Sequence, residues 1–171
     1  LTAGGTMTLD GLVSANANSG SGVGYSGGGA GGSIYIDCIN LTGTGTLRAN
    51  GGASFYAGGG GGRISVNAFD NNNSSLTVTA NSGGGIKGYA GAGTIYINDG
   101  GAPRLTVSNG GNAAGYRTDI SSAIAGTQAL VISTLNITNA QLAFDNSVAL
   151  TISSVVFVSG TNVLTVGSMT V

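Results

Sequence analysis

A short alternating motif returns three times behind a run of small residues: Gly31-Gly32-Ser33-Ile34-Tyr35-Ile36, Gly61-Gly62-Arg63-Ile64-Ser65-Val66 and Ala92-Gly93-Thr94-Ile95-Tyr96-Ile97. Ile34, Ile64 and Ile95 stand 30 and then 31 residues apart, and Gly5-Thr6-Met7-Thr8-Leu9 is a weaker earlier copy. Alternation over four to six residues predicts strands with one buried face. A unit of about 30 residues cannot bury such a face alone, so successive units must stack as coils of a solenoid. Equivalent strands then lie parallel and in register about 4.8 Å apart. The expected fold is all-β, a single-stranded parallel β-helix of the usual right hand, with Ile34, Ile64 and Ile95 as a buried ladder.

Other positions keep the same beat. A second strand-like segment ends at Ala15-Asn16, Ala49-Asn50, Ala80-Asn81 and Ser108-Asn109; alternating runs precede three of these, Thr46-Leu47-Arg48, Leu76-Thr77-Val78-Thr79 and Leu105-Thr106-Val107. Tyrosine recurs at Tyr25, Tyr56, Tyr89 and Tyr116. Stacked Asn16, Asn50, Asn81 and Asn109 are expected to form an amide ladder serving turn backbone groups, and the tyrosines an aromatic ladder or an exposed platform for sugar rings. From Ala129 the glycine runs stop, and Ala129-Leu130-Val131-Ile132 aligns with Ala149-Leu150-Thr151-Ile152 after 20 residues. One continuous domain is therefore expected: Gly-rich long-period units over 1–117, a crossover over 118–128 with room for a short helix, and tight coils over 129–171.

The 34 glycines and the single proline, with no Glu among the six acidic residues, discourage helix. Glycine runs at 27–32, 58–62 and 83–85 allow sharp corners, or extended side-chain-free layers packed on a neighbouring coil. The second option avoids the entropy of loose glycine in an ordered rod.

Charge narrows the function classes. Five basic residues, scattered singly, form no stripe for nucleic acid, and no apolar run approaches a membrane span. With no signal peptide and no initiator Met, the chain reads as a mature or excised segment whose targeting information, if any, lies elsewhere; its low charge and near-absence of Lys are typical of secreted structural proteins, and a secreted or cell-surface location is expected. Cys38, the one cysteine, is expected to be a small buried hydrophobe or an inter-copy bridge. Without His or Glu, and with isolated aspartates, no catalytic residues are assigned. No cofactor is expected beyond weak Ca²⁺ on a row of Asp10, Asp37 and Asp99 with Asn67 and Asn98. The glycine runs lack the Gly-Lys-Ser/Thr ending of a phosphate loop. Sequons place candidate glycosylation at Asn40, Asn72, Asn73 and Asn136.

Gly-Gly-Ser-Ile-Tyr-Ile, Leu-Arg-Ala-Asn-Gly-Gly and Gly-Gly-Gly-Gly-Arg-Ile-Ser-Val together resemble the glycine-rich β-helix repeats of large secreted and surface proteins. These are the pectin-lyase-like and filamentous-haemagglutinin-like repeats of adhesins and fibres. The resemblance implies an extracellular rod and carries no catalytic residue over. Leu164-Thr165-Val166-Gly167-Ser168-Met169-Thr170-Val171 also echoes Leu1-Thr2-Ala3-Gly4-Gly5-Thr6-Met7-Thr8-Leu9. Candidate assembly ends are therefore Leu1, Thr2, Met7, Leu9, Leu164, Val166, Met169 and Val171, with further copies of the chain as partner. The leading expectation is a structural module stacking end to end into an extracellular filament. The alternative is a carbohydrate- or receptor-binding adhesin segment, with glycans as partners. An ice-binding face would need evenly spaced Thr-x-Thr pairs, and Thr6/Thr8, Thr44/Thr46 and Thr77/Thr79 are uneven.

Overall fold

The computed structural model describes residues 1–121 and 129–170. These residues form strands and no helix: β1 (Thr2–Thr8), β2 (Leu12–Ser14), β3 (Ser33–Thr42), β4 (Thr46–Arg48), β5 (Arg63–Asn72), β6 (Thr77–Thr79), β7 (Gly84–Gly85), β8 (Gly88–Tyr89) and β9 (Thr94–Asp99) in the glycine-rich half. The remainder comprises β10 (Arg104–Ser108), β11 (Thr118–Ile120), β12 (Ala129–Ile132), β13 (Thr134–Thr138), β14 (Gln141–Phe144), β15 (Ala149–Ile152), β16 (Val155–Ser159), β17 (Val163–Thr165) and β18 (Ser168–Thr170). The architecture is a β-solenoid. One seven-stranded sheet, in the order β1-β3-β5-β9-β10-β13-β16, runs through the described chain. Shorter sheets close its coils: β2-β4-β6 in the first half, β11-β14-β17 and β12-β15-β18 in the second.

Register follows the alternation. Ile34 pairs with Ile64 and Ile64 with Ile95, while Ile36, Val66 and Ile97 form the next row. A one-residue slip would send every isoleucine to solvent, so burial of this face fixes the pairing. Thr46 and Thr77, and Leu47 and Val78, are likewise in register between β4 and β6.

The glycine runs are packed layers. Gly29 and Gly32 donate across the coil to the carbonyls of Asn18 and Ala15, and Gly28 and Gly31 donate along the axis to Ala57 and Gly60 of the next coil. Bonds in two directions at a spacing of three residues match the three-fold repeat of extended polyproline II chain. A methyl group at Gly28 would overlap the Gly52 carbonyl, and one at Gly59 the Gly29 carbonyl. Here the coil is flattened until backbone rests on backbone.

One element departs from the repeat. Leu105-Thr106-Val107 would sit fourth in the row of β2, β4 and β6, but β10 instead folds back antiparallel on β9. Its turn, Asp99-Gly100-Gly101-Ala102, is closed by the Ala102 N–H to the Asp99 carbonyl at 3.0 Å, with φ of 54° and 84° at the two glycines. That is the primed hairpin turn only glycine adopts freely. In the hairpin, Leu105 lies opposite Tyr96, and Thr106 opposite Ile95. Opposite residues share a face, so the apolar side of β10 is the reverse of the apolar side of β9. The first core contains Ile34, Ile36, Leu47, Ile64, Val66 and Ile95. The second contains Leu105, Val107, Leu135, Ile137, Leu142 and Leu150, and Tyr96 packs against it. Strand direction and core face invert together, so the sense of winding is the same on both sides while the axis moves across the shared sheet.

Beyond the hairpin each coil is three-sided, through β10, β13 and β16, then β11, β14 and β17, then β12, β15 and β18. Leu130 pairs with Leu150, and Ile132 with Ile152. Within the expected crossover, Thr118–Ile120 is a strand of these coils, because Ile120 is buried in the second core and pairs with Phe144. Residues 122–128, on which the short-helix expectation partly fell, lie outside the described residues.

Candidate functional site

The amino-terminal end of the solenoid is uncovered among the described residues. β1 has a neighbour on one side only. Leu1 is 59% exposed, with its ammonium donating to the Tyr35 carbonyl at 2.7 Å, and Thr2 pairs with Asp37. Met7 and Leu9 lie half-buried over the first core with Val13. The register of β1 on β3 shifts between Ala3 and Thr6, at the Gly4-Gly5 pair.

The asparagine ladder is incomplete at this same end. The Asn50 N–H donates to Asn16 Oδ1, and the Asn81 N–H to Asn50 Oδ1, each at 2.8 Å. The Asn16 N–H meets only Ser14 Oγ, at 3.4 Å. Asn109 reaches the ladder from the reversed strand: it is fully buried, and its Oδ1 accepts the Ser82 N–H at 2.8 Å and the Ser82 hydroxyl at 2.9 Å.

At the other end the echoing residues occupy different places from those at the start. Leu164 lies on β17, paired with Leu142, and Met169 on β18, in register with Leu150. Leu164 and Val166 pack on the second core. None of these belongs to the sheet that holds Thr2–Thr8, and Val171 lies outside the described residues. A flattened, glycine-layered coil thus forms one end, and a three-sided, side-chain-filled coil the other.

The tyrosines gather along one corner without forming a continuous stack. Tyr25 is 88% exposed and meets Tyr56 edge to face, with centroids 5.0 Å apart and planes at 70°. Lys87 Nζ sits 5.5 Å from the Tyr56 ring centre. Tyr89 lies over Gly84, and exposed Tyr116 donates its N–H to the Tyr89 carbonyl at 3.2 Å. Val23, Phe55 and Ile86, exposed beside them, add an apolar contribution that the tyrosine spacing alone did not signal.

The acidic row takes another composition. Asn67 Nδ2 donates to Asp37 Oδ1 at 2.7 Å and Asn98 Nδ2 to Asn67 Oδ1 at 2.8 Å. Asp99 stands one position along, accepts the Asn72 N–H at 2.9 Å and faces Arg104 at 3.8 Å. Asp10 accepts the Thr44 N–H at 3.1 Å. Among the described residues no three His, Cys, Asp or Glu side chains gather as metal ligands. Cys38 is buried, and burial, with the Asp37 carboxylate next, raises its thiol above the ordinary range.

Of the sequon asparagines, Asn73 is exposed in the turn after β5. Asn72 holds Ser74 through its own Oδ1, with N–H and hydroxyl at 3.1 and 2.5 Å. Asn40 is half-buried on β3 in register with Thr6 and Asn71, and Asn136 donates to Thr106 Oγ1 at 3.5 Å. No helix is long and apolar enough to cross a membrane. No family model, curated protein or solved structure matches the chain.

Proposed function

We propose that the chain is a structural β-solenoid module, continued end to end by further coils in an extracellular filament or surface fibre. The observation that carries this reading is the incomplete ladder at Asn16. In the next two coils the equivalent N–H is held by an asparagine carbonyl at 2.8 Å, and an added coil carrying a further asparagine would complete the ladder at Asn16. Half-buried Met7, Leu9 and Val13 support it, since an incoming coil would bury them. Whether preceding residues of the polypeptide or another copy supply that coil, the chemistry is the same. Low charge and a single lysine fit an extracellular location.

The test is sedimentation velocity over a concentration series of the chain and of Met7→Lys. A lysine on an uncovered edge blocks strand addition, while its long stem lets the ammonium reach water. The unmodified chain should associate with rising concentration, and Met7→Lys should remain monomeric. A chain that is monomeric at every concentration counts against self-stacking.

A second reading, a glycan-binding adhesin segment, draws support from the exposed corner of Tyr25, Phe55 and Tyr116. It requires saturation-transfer signals from bound sugar that Tyr25→Ala abolishes.

A further inference from the structure

Among the described residues, the inversion at the hairpin leaves the lower end of the first core without a coil beneath it. β6 is the last strand of its sheet, while the sheet opposite continues through β10 and β13. Those strands turn their apolar side chains to the other face. Toward the first core they present Arg104 and Thr106, in register with Ile97 and Ile95. The result is a cavity of about 350 Å³ lined equally by apolar and polar residues, with Val66, Val78, Ile95 and Ile97 among the first and Arg104, Thr106, Asn72 and Asn136 among the second. Its volume falls within the 300–1,000 Å³ usual for small-molecule sites.

The geometry points to a binding site for a small amphiphile with an aliphatic body and a carboxylate head. Val78 and Ile97 are half-buried at this end of the first core, with Val66 and Ile95 buried behind them, so an apolar chain there would complete the cover of the half-buried pair. Arg104 is the only lining residue that carries a charge. Its contact with Asp99 is a single N–O approach at 3.8 Å, and the Asp99 carboxylate is also held by the Asn72 N–H. A guanidinium has five N–H donors, so Arg104 retains donors in the fork geometry that a carboxylate matches. The site is independent of filament formation: it lies at the middle of the chain, away from β1 and β18.

Octanoate and octan-1-ol distinguish head from body. Methyl NMR of the full chain should show saturable shifts at Val66, Val78, Ile95 and Ile97 with octanoate, and weaker binding of the alcohol. Arg104→Gln should weaken octanoate by about tenfold, the size of one lost charge-assisted contact, and leave octan-1-ol unchanged. Thr106→Trp closes the polar side from a half-buried position on β10, and Val78→Phe fills the space opposite; either, melting as the unmodified chain does, should bind neither compound. The proposal is overturned if octanoate produces no saturable shift at these methyls up to its solubility limit. It is equally overturned by undiminished octanoate binding in Arg104→Gln, or by binding that survives both a closed and a filled cavity.

Discussion

Replacing Gly59 by alanine tests whether the glycine runs are packed layers. Gly59 is buried, and its N–H donates to the Gly52 carbonyl at 2.9 Å while its own carbonyl accepts the Gly83 N–H at 2.8 Å. A Cβ there would overlap the Gly29 carbonyl, which itself accepts the Gly52 N–H at 2.9 Å. The backbones must separate, stretching these three bonds, and at about 1 kcal/mol net for each the loss is about 3 kcal/mol. Reduced freedom of the unfolded chain returns about 0.4–1 kcal/mol. A net destabilisation of about 2 kcal/mol then lowers the melting temperature by about 4–8 °C for a chain of this size. Gly22→Ala is the control, because a Cβ at Gly22 meets nothing within 4 Å, and it should leave melting unchanged or slightly raised. Thermal unfolding followed by circular dichroism measures both. Equal melting of the two variants would refute the packed layer and return the glycines to loose corners.

Further expectations follow from particular contacts. Asn50→Ala leaves the Asn81 N–H without its acceptor, so hydrogen exchange at residue 81 should accelerate and stability fall by about 1–2 kcal/mol; Asn50→Asp keeps the oxygen and should restore most protection. Tyr35 and Tyr96 occupy one sheet row, but only Tyr96 packs on the second core. Tyr96→Ala should therefore cost about 1–2 kcal/mol in denaturant titration, with Tyr35→Ala near zero; equal costs would contradict the change of core face. Cys38 should resist iodoacetamide at pH 8 in the native chain and react on unfolding, as mass spectrometry would read. Because folding raises the Cys38 thiol, its contribution to stability is complete below the unfolded thiol's range and declines as pH rises toward the folded value. A gain in stability over that alkaline interval in wild type relative to Cys38→Ala would contradict the sign.

The ladder of Ile34, Ile64 and Ile95 was legible because two signals coincide there, a 30-residue repeat and strict alternation, and together they leave one register. The hairpin was not read, although its signal was present. Two glycines between alternating runs mark a primed turn, but Leu105-Thr106-Val107 has the same period as Leu76-Thr77-Val78, and period alone does not tell which sheet a strand joins. The cavity beside Arg104 is a consequence of that hairpin, since it exists only where the core changes face. Asn109 illustrates the same limit: its place in the repeat suggested a fourth rung above Asn81, and the reversed strand brings it to Ser82. Of the residues in the terminal echo, Thr2–Thr8 lie on β1, and Leu164 and Met169 lie on β17 and β18 in two other sheets.

End-to-end continuation is tested most directly by fibre diffraction from concentrated, aligned material, with electron microscopy of the same sample. In a rod of stacked coils the strands lie across the long axis, so the account predicts extended filaments and a meridional reflection at about 4.8 Å. Isolated globular particles, or a 4.8 Å reflection on the equator, would contradict it.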